Sequence, residues 1–207
     1  MNRGLFITFE GLDGSGKTTQ IEAFIRRLDN TGIAYQLFRE PGGTIIGEKI
    51  RQILLDKEHT AMLPITELLL YSASRYQLTM NSIIPALEKN QVVICDRFYD
   101  STTAYQGYGR GIDLNLIKQL NQAATASLVP DLTFILDIDL DVRQRRLGKK
   151  VLDRLEQETI EFHKRVRDGF MQMAHAEPER IILIDGNRST DDIASEIWSH
   201  FKLLIKK

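Results

Sequence analysis

One run of residues, Gly11-Leu-Asp-Gly-Ser-Gly16-Lys17-Thr18, constrains this chain more tightly than any other. It fits G-x-x-x-x-G-K-[ST] at every fixed position, a pattern in which glycines let backbone N–H groups converge on phosphate oxygens. The flanks agree with it. The apolar run Leu5–Glu10 reads as a strand, and Thr18–Asp29 carries Ile21, Phe24, Ile25 and Leu28 at helical spacing. A strand that feeds a glycine loop and then a helix N-terminus commits the chain to an α/β architecture and provides an anion site.

The same alternation continues. Tyr35–Phe38, Val92–Cys95, Thr133–Ile138 and Ile181–Ile184 are short and almost continuously apolar. Such runs are expected of strands buried on both faces, as in parallel sheets. In Asp192–Ile205 the apolar positions Ile193, Ile197, Phe201 and Leu204 recur with helical period. The expected fold is a three-layer α/β arrangement, with five parallel strands flanked by helices and joined by right-handed crossovers. No repeat, low-complexity tract or linker interrupts it, so residues 1–207 read as a single domain.

Composition narrows the functional classes. Hydrophobic residues at 43% and charged residues at 27% provide for a core and exclude disorder as the dominant state. With 27 Lys and Arg against 28 Asp and Glu, the chain is not built to neutralise many nucleic-acid phosphates. A small phosphorylated ligand needs only a few placed cations. The lone Cys95 cannot form an intrachain disulfide. The Leu5–Phe9 run is too short for a secretory core, and no run approaches the ~20 apolar residues of a membrane span. A cytoplasmic protein with neither nucleic-acid nor membrane partners is the expectation.

Several constellations bear on chemistry. Lys17 can reach terminal phosphates and Thr18 can ligate magnesium. Val92–Asp96 is an apolar strand that ends in a carboxylate, the place for an acid holding magnesium through water. Asp13, beside bound phosphate, is open to two readings: a loop carboxylate that steadies a turn, or a partner for a hydroxyl on a second substrate. Ser101, Thr102, Tyr105 and Gln106 lie in a stretch dense in polar side chains and aromatic rings. That stretch suits a small flat ligand, or is a polar helix start before a glycine loop. Tyr71 and Arg75, at i and i+4, share a helix face. They read either as a stacking ring beside a base-edge donor, or as a core tyrosine beside an ordinary surface salt bridge. Arg143–Arg154 holds six cations and one acid; it is a mobile basic flap or a solvated helix face. There is no Asn-Lys-x-Asp guanine-reading segment, which weighs against a nucleotide-dependent switch. The D-x-x-G match at Asp29–Gly32 reads as a helix stop with Gly32 as the C-cap.

In combination these residues resemble thymidylate kinase of the bacterial type, a P-loop nucleoside-monophosphate kinase family. The resemblance runs through Phe9–Thr19, Arg39-Glu-Pro-Gly-Gly-Thr44, Asp96-Arg97-Phe-Tyr-Asp-Ser101, Ala104-Tyr-Gln-Gly107 and Leu152-Asp-Arg-Leu-Glu156, in family order. It implies a P-loop kinase fold with a short basic lid near residues 143–154. It implies transfer of the ATP γ-phosphoryl group to dTMP, giving dTDP on the way to dTTP, with Mg2+ and as a homodimer. By matching position, Gly11, Leu12, Asp13, Gly14, Ser15, Gly16, Lys17 and Thr18 bind ATP, with Lys149 from the lid. Asp13 meets the dTMP 3′-hydroxyl, Tyr71 stacks on the base and Arg75 bonds its edge. Arg97 orients the acceptor phosphate, with Arg39 as a further contact. Tyr105 crowds the 2′ position, while Ser101, Thr102 and Gln106 face the base. Lys17, Asp96, Arg97 and Arg145 form the catalytic set, and Thr18 and Asp96 the metal set. The chain departs from the family pattern at Tyr71 (often Phe), Ser74 (often Asp) and Leu78 (often His). In the lid, Lys149 takes a common Arg position, and lysine lacks the bidentate grip of arginine. The alternative activity is phosphorylation of another deoxynucleoside monophosphate or of a deoxynucleoside.

Overall fold

The computed structural model describes residues 3–148 and 151–205. Five strands, β1 (Phe6–Glu10), β2 (Tyr35–Arg39), β3 (Val92–Asp96), β4 (Leu132–Asp137) and β5 (Ile181–Asp185), form one parallel sheet in the order β2-β3-β1-β4-β5. Every strand expected from the sequence is present. Burial on both faces holds for β1, β3 and β4, but not for β2 and β5, which leave Leu37 at 46% and Leu183 at 38% exposed. Those two are the edge strands, each paired on one side only.

The pleat sorts the core into two layers. Ile7, Phe9, Ile94, Phe134 and Leu136 pack with Phe24 and Leu28 of α1 (Lys17–Thr31) and with Ile197 and Phe201 of α9 (Thr190–Leu204). On the opposite face Phe6, Val93 and Cys95 meet Leu78 of α3 (Pro64–Leu78), then Ile83, and Leu87 of α4 (Ile84–Glu88). Further along that face, Ile135 and Ile181 meet Phe162, Val166 and Phe170 of α8 (Ile160–Ala176). The remaining helices are α2 (Ile45–Leu55), α5 (Tyr99–Thr102), α6 (Leu114–Ala124) and α7 (Leu140–Leu147). A π-helical segment, Thr103–Gly109, continues directly from α5. Helix α1 stops at Gly32, which takes the left-handed conformation at φ 71° and returns its N–H to the carbonyl of Asp29.

The strand order puts a switch point between β1 and β3, because the connection leaving β1 runs out to β2 on one side while the connection leaving β3 runs to β4 on the other. In open parallel sheets the crevice beyond the strand C-termini at such a point is where ligands bind. Register pairs Phe9 and Arg39 each with Asp96, so the segments that follow β1, β2 and β3 leave the sheet side by side.

Candidate active site

The segments after β1, β2 and β3, together with α3 and the Thr103–Gly109 segment, enclose a cavity of about 640 Å³. Its floor is the phosphate loop. Gly11 (φ 127°) leaves no room for a side chain, since a Cβ there would stand 2.4 Å from the carbonyl oxygen of Leu136. Gly16 at φ 97° turns the chain into α1. Lys17 is buried and donates through Nζ to the carbonyls of Gly11 (3.1 Å) and Leu12 (3.0 Å). Burial first, then Arg97, pushes its ammonium down to about 8, against the pull of Asp13, Asp96 and Glu10. Asp13, Gly14, Ser15, Gly16, Lys17 and Thr18 line the cavity. Gly11 and Leu12 serve it from behind, by anchoring Lys17.

Arg97 joins the loop to the acceptor side. Its Nη2 donates to Oδ1 of Asp13 at 2.7 Å, and its Nη1 to the Gly11 carbonyl and to Ser101 Oγ. The guanidinium lies 5.3 Å from the Tyr105 ring, whose hydroxyl donates to Asp13 at 3.3 Å. Burial alone would raise the Asp13 carboxyl, but Arg97 and then Lys17 hold it well below the usual carboxylate range. Arg97 has φ 69°, a left-handed backbone that a side-chain-bearing residue adopts at a cost. The surroundings impose it. Directly behind, buried Glu10 accepts from the Phe98 N–H at 2.7 Å and from Ser101 Oγ at 2.5 Å. Burial, then Asp100, pushes the Glu10 carboxyl up to about 8.

The far wall carries Tyr71, Arg75, Thr102, Tyr105 and Gln106. Burial, and next Glu67, raises the Tyr71 phenol. Neither sequence reading of Arg75 is complete. It is not in a surface salt bridge: it is 1% exposed and pairs at 2.6 Å with Glu40, itself buried. Its other donors go to Thr102 Oγ1 (2.8 Å), the Phe98 carbonyl (3.1 Å) and, at 3.5 Å, Asn121. Ser74 has its own task, accepting from the Gly42 N–H at 3.1 Å and so fixing the loop after β2. Arg39 lines the cavity from the end of β2 while its outer edge grips Glu48 at 3.0 and 3.1 Å.

A model of the thymidylate kinase family matches residues 9–197. Thymidylate kinase of Caldanaerobacter subterraneus subsp. tengcongensis is 52% identical over 205 residues, covering 99% of this chain and 94% of that one. Thymidylate kinase of Kosmotoga olearia is 45% identical over 204 residues, 98% of both chains. The crystal structure of thymidylate kinase from Ehrlichia chaffeensis superposes with a TM-score of 0.80 at 38% identity, covering 96% of this chain and 99% of that one. This chain belongs to the thymidylate kinase family.

For a member of the thymidylate kinase family, the basic stretch is where sequence and structure part most. Residues 143–147 are the end of α7, not a free loop. Arg143 is buried and reaches the Glu156 carbonyl, and Arg154 is buried against Glu67 at 2.6 Å. Arg145, expected in the catalytic set, lies apart from the cavity, in a separate depression with Asp139, Arg167 and Asp168. Arg146 is the residue that meets the phosphate loop, donating to the carbonyls of Gly14 (3.3 Å), Ser15 (3.4 Å) and Gly186 (3.0 Å). The reason is helical phase: 143 and 146 are three apart and share a face, while 145 is turned away. Lys149 and Lys150 lie outside the described residues. Arg51 is a further cavity residue, outside the set expected from the sequence. It lines the cavity from α2 and donates to the Pro41 carbonyl at 2.9 Å. Only its place on a helix following the Arg39–Thr44 block could have signalled it.

Proposed function

We propose that the cavity holds ATP at the phosphate loop and dTMP at the Tyr71–Gln106 end, with Arg97 gripping the acceptor phosphate between them. As a member of the thymidylate kinase family, the chain transfers the γ-phosphoryl group of ATP to dTMP and yields dTDP, a step toward dTTP. The observation that carries the assignment of roles is the 2.7 Å pair of Arg97 with Asp13. It ties the loop that would hold the donor to the segment that would hold the acceptor. Two polyanions must meet in line, so the work of such a site is positioning and charge neutralisation.

In this reading Lys17 neutralises the donor phosphates, and Arg146 steadies the loop around them. Asp13 accepts from the dTMP 3′-hydroxyl while keeping Arg97 in place. Tyr71 stacks on the base, Tyr105 crowds the 2′ position, and Ser101, Thr102, Gln106, Arg75 and Arg39 complete the acceptor pocket. Residues 1–207 act as one nucleoside-monophosphate kinase domain, with residues 143–154 as its lid.

Thr18 and Asp96 are the residues that would hold Mg2+. Both line the cavity, and Oδ1 of Asp96 is buried without a hydrogen-bond partner among the described residues. A hydroxyl and one carboxylate suit a small hard cation that takes its remaining ligands from water and phosphate. When bound, the ion offsets charge on the β- and γ-phosphates.

We read the enzyme as a homodimer. Ile45 (83%), Leu63 (68%) and Leu69 (49%), on and beside α2 and α3, are exposed and apolar and offer a face to a second copy. No helix among the described residues is long and apolar enough to cross a membrane. The proposed location is the cytoplasm, in keeping with the buried free thiol of Cys95.

A coupled ADP-release assay across nucleoside monophosphates and thymidine tests the activity. dTMP should accelerate ADP release far more than the other monophosphates, and thymidine should not. Failure of both dTMP and dUMP to accelerate it would end the kinase reading.

A further inference from the structure

Gln106 sits in the cavity wall within the π-helical segment and is 1% exposed. Its Nε2 donates to Oε1 of Glu67 at 2.7 Å. Glu67, on α3, is equally buried and lies between two guanidinium groups. Arg110 donates to it at 3.0 and 3.2 Å, and Arg154 pairs with it at 2.6 Å. Burial works to raise the Glu67 carboxyl, but Arg110, then Gln106 and Arg154, bring it below the usual range. It is therefore an ionised carboxylate, and an ionised carboxylate only accepts hydrogen bonds. The edge of the Gln106 amide that faces it must be the NH2. Turning the amide over would set a carbonyl oxygen against a buried negative charge. What Gln106 can offer a ligand is its Oε1 and the second Nε2 hydrogen.

We propose that Glu67 locks the Gln106 amide with its acceptor toward ring N3 of the base, and so acts as a positioning residue that sets the choice of thymine over cytosine. The proposal rests on the reading of Gln106 as a base contact. Thymine carries a hydrogen on N3 and an acceptor at position 4. Cytosine carries a bare N3 and an amino group at position 4, the reverse pattern. A free glutamine reads either base by rotating its amide, because each end can donate or accept in turn. A glutamine held by a carboxylate reads only one. Buried polar groups left unpaired by the wrong base make such a site strongly selective. The same carboxylate anchors Arg154, at the end of the lid stretch, so the base reader and the lid share one support.

The test is the ratio of kcat/KM for dTMP to kcat/KM for dCMP in Glu67→Gln, Glu67→Asp and Gln106→Leu. Glu67→Gln can donate to a rotated amide. It should lower the ratio at least about tenfold, with kcat/KM for dCMP rising and KM for ATP staying within about twofold. Glu67→Asp keeps the charge for Arg110 and Arg154 but withdraws it from Gln106 by one methylene. It should move the ratio in the same direction, and it carries the test should Glu67→Gln fail to fold. A parallel fall for both substrates would mark Glu67 as a structural residue only and overturn the lock. If Gln106→Leu abolishes the preference while both Glu67 variants keep it, the base contact stands and the lock is wrong. If Gln106→Leu keeps the preference, the base contact itself is wrong, and the lock with it.

Discussion

At the loop end of the cavity the wall is mostly main chain, shaped by glycines and one lysine that bonds the loop's own carbonyls. At the far end it is side chains, three of them held by a buried carboxylate: Glu10 behind Ser101, Glu40 on Arg75, Glu67 on Gln106. A main-chain cradle recognises something every nucleoside triphosphate shares. A side-chain lattice recognises shape and donor pattern, and needs a second layer of residues to hold it. The difference teaches that errors at the two ends should look different: loss of turnover with any acceptor at one, loss of acceptor choice or of stability at the other.

Lys17→Met should break the loop end most severely. It is expected to lower kcat by about a thousandfold, about 4 kcal/mol, equally for all acceptors, as read by ADP release. An acceptor-dependent loss would erase the distinction. Arg75→Met should show the lattice as a structural load. Leaving Glu40 buried without its partner is expected to cost about 3 kcal/mol in urea unfolding, the low end for a broken buried pair. The low end applies because burial already raises the Glu40 carboxyl, which can take up a proton instead. Arg97→Ala sits at the junction. It should reduce kcat/KM for dTMP by at least about 100-fold, roughly 2.7 kcal/mol, and leave KM for ATP nearly unchanged. A change below about threefold would remove Arg97 from the acceptor phosphate.

The smallest effect concerns pH. Glu10 rises from 4.5 to about 8 on folding. The folded state therefore binds more protons between those values, and this contribution to stability is full below 4.5 and lost as pH rises through about 8. Glu10→Gln lacks that titration. Its Tm relative to the parent should climb between pH 6 and pH 9, in thermal melts at matched ionic strength. A flat difference would mean that Glu10 is already ionised in the folded protein.

How much of this was legible depended on sequence distance. The phosphate loop is contiguous, and its flanking strand and helix announce themselves by period, so that end could be read residue by residue. All five strands are legible for the same reason. The lattice is not, because its partners are remote: Arg75 and Glu40 are 35 residues apart, Gln106 and Glu67 39. Spacing puts Tyr71 and Arg75 on one helix face, but no pattern says that the arginine is buried against a carboxylate. Arg145 and Arg146 are adjacent in a run of cations, and only the phase of α7 separates the one that meets the loop from the one that does not. The family resemblance supplied roles where periodicity was silent, yet it could not supply Glu67.

The left-handed backbone at Arg97 carries a consequence of its own. Glycine is the residue that would relax this position, and it is also a residue with no guanidinium. Selection for stability and selection for turnover therefore pull position 97 in opposite directions. A search for more heat-resistant variants that ignored activity would be drawn to replace a side chain that connects the two halves of the reaction.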